Sequence, residues 1–177
     1  MHDTAHIAGK HFAATYVPEG SVVVDIGGRN VNGSLREFFK NRTYPSVDVV
    51  VKPGDKLPFE NDSVDVVIST SCFEHDPLFW VTFREISRVL KKGGHFYCNA
   101  PSNGPYHKYK GDNWRFYQDA SQSLAYWSCQ PFNDYPINPM KVSECFFFSP
   151  INDVWIDFIC VWTRTDEIQT EVVLQIC

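Results

Sequence analysis

The chain has no Cys-x-x-Cys pair, no internal repeat, no low-complexity linker and no apolar signal core at its N-terminus. No apolar run approaches the ~18 residues of a membrane span. Each absence excludes a class. The six cysteines (Cys72, Cys98, Cys129, Cys145, Cys160 and Cys177) lack the spacing of a zinc ribbon or a thioredoxin-type site. Basic residues are also scarce, with 16 Lys and Arg against 21 Asp and Glu and a net charge of -5. A nucleic-acid partner needs a basic surface, so none is expected, although the total leaves room for a local basic patch. No membrane association is expected either, and the expected location is the cytoplasm, where the cysteines would serve as buried small hydrophobes. His2, His6 and His11 share no single helix face beyond one pair, so no metal site is expected there.

What is present reads as one globular domain over residues 1–177. Hydrophobic residues make up 44% and charged residues 21%, enough for a full core at this length. Residues 5–16 read as a short helix. Ser21–Ile26 is a β-branched run ending at Gly27-Gly28, a buried strand entering a tight turn. Residues 34–41 read as a short helix, and Val47–Val51 and Val64–Ser69 as strands. Asp76-Pro77 gives a helix start, with an oxygen-bearing cap followed by proline in the first turn. Phe79, Phe83, Ile86 and Leu90 recur at helical spacing, Lys91-Lys92 suit the negative helix end, and Gly93-Gly94 stops it. His95–Ala100 is the next strand and 119–128 another helix. Cys145–Phe148 and Val154–Thr163 form a late hairpin. Near-continuous apolar strands alternating with helices predict an α/β fold: a doubly wound, Rossmann-like, mostly parallel sheet with a C-terminal antiparallel hairpin. Val172–Ile176 reads as an extra edge strand or as a tail that pairs with a partner, a homodimer being one such pairing.

In such a sheet a ligand lies at the carboxyl ends of the strands. The turn Asp25-Ile26-Gly27-Gly28-Arg29-Asn30-Val31-Asn32-Gly33-Ser34 offers glycines for close backbone approach. Its glycines miss the G-x-G-x-x-G spacing of a dinucleotide fold, which disfavours a nicotinamide-dependent oxidoreductase.

Three further segments carry a resemblance. They are Leu57-Pro58-Phe59 leading into Asp62-Ser63-Val64-Asp65-Val66-Val67, then Phe73-Glu74-His75, and Arg88-Val89-Leu90-Lys91-Lys92-Gly93-Gly94. Together they resemble the class I S-adenosylmethionine-dependent methyltransferases of the type 11 kind, with Lys92 where a proline is usual. Ala100–His107 and Asp112–Tyr117 resemble a subgroup associated with glycan modification. The resemblance spans roughly residues 20–163. It implies S-adenosylmethionine as cofactor, with Asp25, Gly27 and Gly28 around its methionine part. Arg29 stands where the family's second glycine is expected; Asn30 and Gly33 would compensate, or Arg29 would pair with the cofactor carboxylate. Between Lys40 and Leu57 there are only sixteen residues, too few for two strands and a full crossover, so the second-strand crossover is expected to be abbreviated. Asp48 is then either the ribose acid or a residue inside the third strand. Asp55 lies near the adenine-contacting position but out of register, and both acids read equally well as turn or surface residues. Leu57 and Ser71 complete the expected cofactor contacts.

Methyl transfer from a sulfonium is an in-line displacement, in which the protein brings the reactants together. A hydroxyl acceptor also benefits from a base of near-neutral pKa, which favours histidine. His75 and His107 each follow a strand on the ligand rim and are the candidate bases. Tyr106, Asp112, Trp114 and Arg115 fall in an aromatic, mixed-charge loop suited to a sugar or other small-molecule acceptor, or equally to a packed lid. Two readings remain open: O-methylation of a small-molecule or saccharide hydroxyl, and a degenerate relative that binds a nucleotide or partner without catalysis.

Overall fold

A computed structural model describes residues 3–28, 34–40, 43–47, 55–107, 111–149 and 154–171. Helix α1 (Asp3–Tyr16) precedes β1 (Val23–Ile26), a 3-10 turn (Arg36–Phe39) and β2 (Ser46–Val47). Then follow β3 (Val64–Thr70), α2 (Phe79–Val89), β4 (Leu90–Asn103), α3 (Gln118–Ser128), β5 (Met140–Phe148) and β6 (Ile156–Arg164). The strands form one sheet in the order β2-β1-β3-β4-β6-β5. β2, β1, β3 and β4 run parallel; β6 is antiparallel to β4 and β5. The expected mostly parallel sheet with a late antiparallel hairpin is therefore present.

Strand alternation sorts the core into two layers. Val24, Ile26, Val67, Phe96, Cys98 and Trp162 face α2 and α3 with Phe83, Ile86 and Leu124. Val23, Val66, Ile68, Tyr97, Ile159 and Val161 face α1 and the 3-10 turn with Phe12, Leu35 and Phe39. Trp162 stacks on Phe96 at 5.4 Å between ring centroids, and its indole N–H donates to the Ser121 carbonyl at 2.9 Å, so its one polar atom is satisfied inside the core.

Several boundaries differ from the sequence expectation. Helix α2 begins at Phe79, not at Asp76-Pro77. Asp76 still serves its entry: its carboxylate accepts the Leu78 N–H at 2.8 Å and the Thr82 hydroxyl. At its other end α2 stops at Val89, and Leu90 through Asn103 is already strand. Lys91-Lys92-Gly93-Gly94 is therefore the start of β4 and not the end of a helix. Gly93 takes φ +79°, and a Cβ on Gly94 would lie 2.8 Å from the Asp65 carbonyl oxygen. The helix expected over 34–41 is a four-residue 3-10 turn. Of Val47–Val51, only Val47 falls among the described residues, within β2, and Val172–Ile176 lies outside them. β2 pairs with β1 through Asp25–Ser46 and Ile26–Val47, so this segment is the direct neighbour of β1. Among the described residues no helix is long and apolar enough to cross a membrane.

Candidate active site at the carboxyl ends of the strands

The parallel strands deliver their carboxyl ends to one rim. β1 delivers Gly27 at φ +73°, and a Cβ there would lie 2.4 Å from Cys72 Sγ and 2.7 Å from its Cβ. The glycine is thus required twice, by a backbone conformation that L side chains rarely adopt and by the turn after β3. That turn starts at Ser71, itself at φ +49°, whose N–H donates to the Asn99 carbonyl of β4. It closes through the His75 N–H to the Cys72 carbonyl at 2.9 Å. The glycine turn and the turn carrying His75 are therefore packed against each other.

Asp25 is buried in β1, and its carboxylate accepts the Tyr44 hydroxyl at 2.7 Å. Burial pushes its pKa up to about 6, against the Tyr44 hydrogen bond and the charge of Arg36. Tyr44 stands just before β2, so the hydrogen bond ties the two short strands. Leu57 is buried in the core. Its N–H donates to Glu85 at 2.7 Å and its carbonyl accepts from Arg88 at 3.1 Å. Asp55 is exposed, and its carbonyl accepts from the Tyr135 hydroxyl at 3.3 Å. Arg29, Asn30, Gly33 and Asp48 lie outside the described residues.

On the other side of the rim, residues 111–117 of the segment after β4 pack over His75 as a lid. Asn113 and Trp114 donate their backbone N–H groups to the Glu74 carbonyl, and the Trp114 indole donates to the Asp76 carbonyl. His75 and His107 are brought together, with ring centroids 5.6 Å apart. Burial lowers the His75 pKa, so this imidazole is neutral and able to accept a proton at neutral pH. His107 is more constrained: its ring stacks on Trp155 at 4.6 Å, and its Nδ1 lies 3.3 Å from Asp112. Gly104 permits that stack, because a Cβ there would strike the Trp155 ring at 2.0 Å. Asp112 and Arg115 form a two-pronged pair at 2.6 and 2.9 Å, which holds the Asp112 carboxyl far below the usual range. Trp114 packs edge-on against Phe79 and Trp80, whereas Tyr106 is 65% exposed. Of the four candidate acceptor contacts, Tyr106 faces solvent, and the other three are engaged in holding the lid.

Tyr44 and Trp155 are residues that sequence reading did not single out, and Glu74 entered it only as part of the family-like Phe73-Glu74-His75 segment, with no role of its own. Glu74 is 1% exposed and its Oε1 lies 3.6 Å from His75 Nε2. Burial raises its pKa to about 8, against a hydrogen bond from its own backbone; Asp112 and Asp157 add to the rise and Arg115 opposes it. An acid inside the Phe73-Glu74-His75 segment was the only local signal for it; Trp155 and Tyr44 had none. Of the three N-terminal histidines, His2 lies outside the described residues, His6 bonds Glu37 and His11 bonds Glu144, and no metal-binding group occurs among the described residues.

The methyltransferase domain family matches residues 9–98, just over half of the 177 residues. The chain belongs to this family. Its fold is likewise that of solved methyltransferases. A chain from the complex between the Haloferax volcanii Trm112 methyltransferase activator and a putative methyltransferase matches at 20% identity and TM-score 0.62, covering 94% of this chain and 92% of that one. The Burkholderia thailandensis 1,6-didemethyltoxoflavin-N1-methyltransferase, solved with its substrate and S-adenosylhomocysteine, matches at 10% identity and TM-score 0.65, covering 93% and 80%. Among curated relatives, a ubiquinone/menaquinone biosynthesis C-methyltransferase UbiE of Bartonella tribocorum is 32% identical over 100 residues. That segment is 56% of this chain and 38% of the relative. A probable phthiotriol/phenolphthiotriol dimycocerosates methyltransferase of Mycobacterium ulcerans is 40% identical over 68 residues, 38% of this chain and 26% of that protein. The matches thus span well under half the length of these curated relatives.

The described part of the rim fits S-adenosylmethionine. Gly27 and Gly28 put no side chain over the end of β1, Ser71 turns β3 away, and Asp25 supplies an acid at the base of the turn. Bound there, the cofactor would supply an electrophilic methyl group on a sulfonium. The chain's own residues would hold it on the glycine turn, and His75 stands on the same rim beneath the lid.

Proposed function

We propose that the chain is an S-adenosylmethionine-dependent methyltransferase acting on a hydroxyl, with a saccharide or another small polar molecule as acceptor. The packing of Gly27 against Cys72 carries this reading. It sets the family's glycine turn against the turn that holds His75, so a methyl donor on one and a proton acceptor on the other share a single rim. The exposed Tyr106 ring at the lid edge suits the apolar face of a sugar.

The test is titration with S-adenosylhomocysteine, followed by transfer of labelled methyl from S-adenosylmethionine to a panel of methyl glycosides and phenols. Wild type binds, and Gly27→Val loses binding by at least about tenfold through left-handed strain and the Cys72 clash. His75→Ala retains binding and loses transfer by roughly 10²–10⁴-fold. Unchanged affinity in Gly27→Val removes the assigned cofactor turn, and undiminished transfer in His75→Ala removes the assigned base.

One observation favours a second, non-catalytic reading. The Asp25 carboxylate, the acid expected at the methionine part of the cofactor, is engaged by the Tyr44 hydroxyl. Failure of wild type to bind S-adenosylhomocysteine selects that reading.

A further inference from the structure

Glu74 is not explained by packing. It is 1% exposed, and its Oε2 has no hydrogen-bond partner among the described residues. A carboxyl is rarely left in that state, because burial without a partner disfavours its charge. Its location is specific. On one side are Cys72, which packs on Gly27, and Cys98 of β4, and both thiols feel the Glu74 charge. On the other side the lid presents Asp112 and Arg115, and β6 presents Asp157. His75 lies beside it at 3.6 Å. The turn that carries Glu74 touches the glycine turn through Cys72 and the lid through the Glu74 carbonyl.

Among the described residues, neither basic group beside Glu74 neutralises its ionised form. Arg115 is held in the two-pronged pair with Asp112, and burial keeps His75 uncharged. Asp157 is itself acidic and is held by the Thr4 hydroxyl at 2.6 Å. The groups around it therefore favour the protonated carboxyl, in line with its pKa of about 8, which burial raises first, against a hydrogen bond from its own backbone, with Asp112 adding to the rise. An arriving cation would change that balance.

We infer that Glu74 is the counter-charge of the cofactor's sulfonium, losing its proton to solvent when S-adenosylmethionine binds and regaining one when the neutral S-adenosylhomocysteine remains. The inference rests on the cofactor reading above. The site would then hold the charged donor in preference to the uncharged product, which limits product inhibition. The reaction adds no co-reactant: one carboxyl O–H breaks on binding and reforms after transfer.

The test is isothermal calorimetry of the full chain at pH 7 in two buffers of different ionisation enthalpy, which counts the protons exchanged on binding. The ligands are S-adenosylmethionine, sinefungin (which carries an ammonium in place of the sulfonium) and S-adenosylhomocysteine. Their amino-acid and adenosine parts are shared, so a contribution from Asp25 cancels in the difference. Wild type is expected to release close to one more proton per site with either cation than with the neutral product. Glu74→Gln is expected to abolish that difference and to reduce the preference for S-adenosylmethionine by roughly tenfold. Its affinity for S-adenosylhomocysteine should stay within about twofold, which also shows that the variant is folded. Equal proton counts for all three ligands in wild type overturn the inference alone, as does a difference that persists in Glu74→Gln. Absence of binding by all three overturns the cofactor reading, and the inference with it.

Discussion

β4 runs for 14 residues and lies beside the nine-residue β6, whereas β1 runs for four and β2, beside it, for two. The two sides of the sheet are held by different means. On the long side the ladder and a cluster of aromatics packed around Trp162 (Phe96 stacked on it, Phe83 edge-on, Phe158 tilted) supply the stability. On the short side individual side chains do it. Tyr44 ties β2 to Asp25, Asp65 of β3 accepts the Val22 N–H ahead of β1, and a buried Glu85–Arg88 pair of α2 secures Leu57–Asn61. The glycine turn belongs to the short side and the lid to the long side. The candidate site is their seam, so each half can be perturbed separately.

The largest expected effects compare one fixture from each side. Arg88→Met strands Glu85, which is 0% exposed, as an unpaired buried charge, and releases the Phe59 and Leu57 carbonyls. Its expected cost is about 3–5 kcal/mol. Trp162→Ala empties a fully buried indole site on the long side for a similar ~3–5 kcal/mol. Urea unfolding measures both. The comparison predicts that only Arg88→Met also weakens S-adenosylhomocysteine binding, because only it loosens the Leu57–Asn61 segment on the short side, to which the glycine turn belongs. Equal weakening by both variants would show that the sheet acts as one body.

The pH dependence of stability is the next test. Asp25 and Glu74 both have raised carboxyls, at about 6 and about 8 against ordinary values near 4. For a raised acid the folded state binds the proton more tightly than the unfolded chain. The stabilisation is thus complete below about pH 4 and lost as pH rises through the folded values. Thermal unfolding should show wild type losing stability relative to Asp25→Asn between roughly pH 4 and 6, and relative to Glu74→Gln between roughly pH 4 and 8. The Glu74→Gln advantage should be greater at pH 9 than at pH 5; a constant difference would mean that the Glu74 carboxyl does not titrate inside the fold.

The sequence revealed most about the long side and about the motif positions. Apolar runs such as Val64–Ser69 and His95–Ala100 read as strands because both faces are buried, and parallel order followed from the intervening helix. The Leu57-Pro58-Phe59 and Arg88-Val89-Leu90 motifs were visible, but not that they bind each other through Arg88. Spacing along a chain carries no information about a hydrogen bond to a backbone carbonyl 31 residues away. The end of α2 differs from the sequence expectation for a related reason. Lys-Lys-Gly-Gly is good helix-stop chemistry, yet pairing of Leu90 with Val64 claims the chain for β4 first. At the site, the two histidines could be assigned to the rim from strand ends alone. The buried, unpartnered Oε2 of Glu74 and the Trp155 stack, which constrains His107, arise only in three dimensions.

The smallest effects belong to the lysines of the Lys-Lys-Gly-Gly segment, and they test the last link between the halves. Lys91 Nζ lies 2.7 Å from Asp65 Oδ1, while Asp65 Oδ2 accepts the Val22 N–H at 2.8 Å. One carboxylate thereby joins the start of β4 to the chain entering β1. Lys92 pairs instead with Asp166, both well exposed, beyond the end of β6 and on the long side alone. Exposed pairs lose most of their Coulomb energy to solvent screening and to side-chain entropy, so Lys92→Ala should change stability by less than about 0.5 kcal/mol. Lys91→Ala removes a less exposed partner from an acid that also holds a backbone N–H, and up to about 1 kcal/mol is expected. The difference should shrink in 1 M salt, where the Debye length is about 3 Å. If the two alanine variants unfold at the same urea midpoint at low salt, the Asp65 link contributes nothing, and the short side depends on Tyr44 and the Glu85–Arg88 pair.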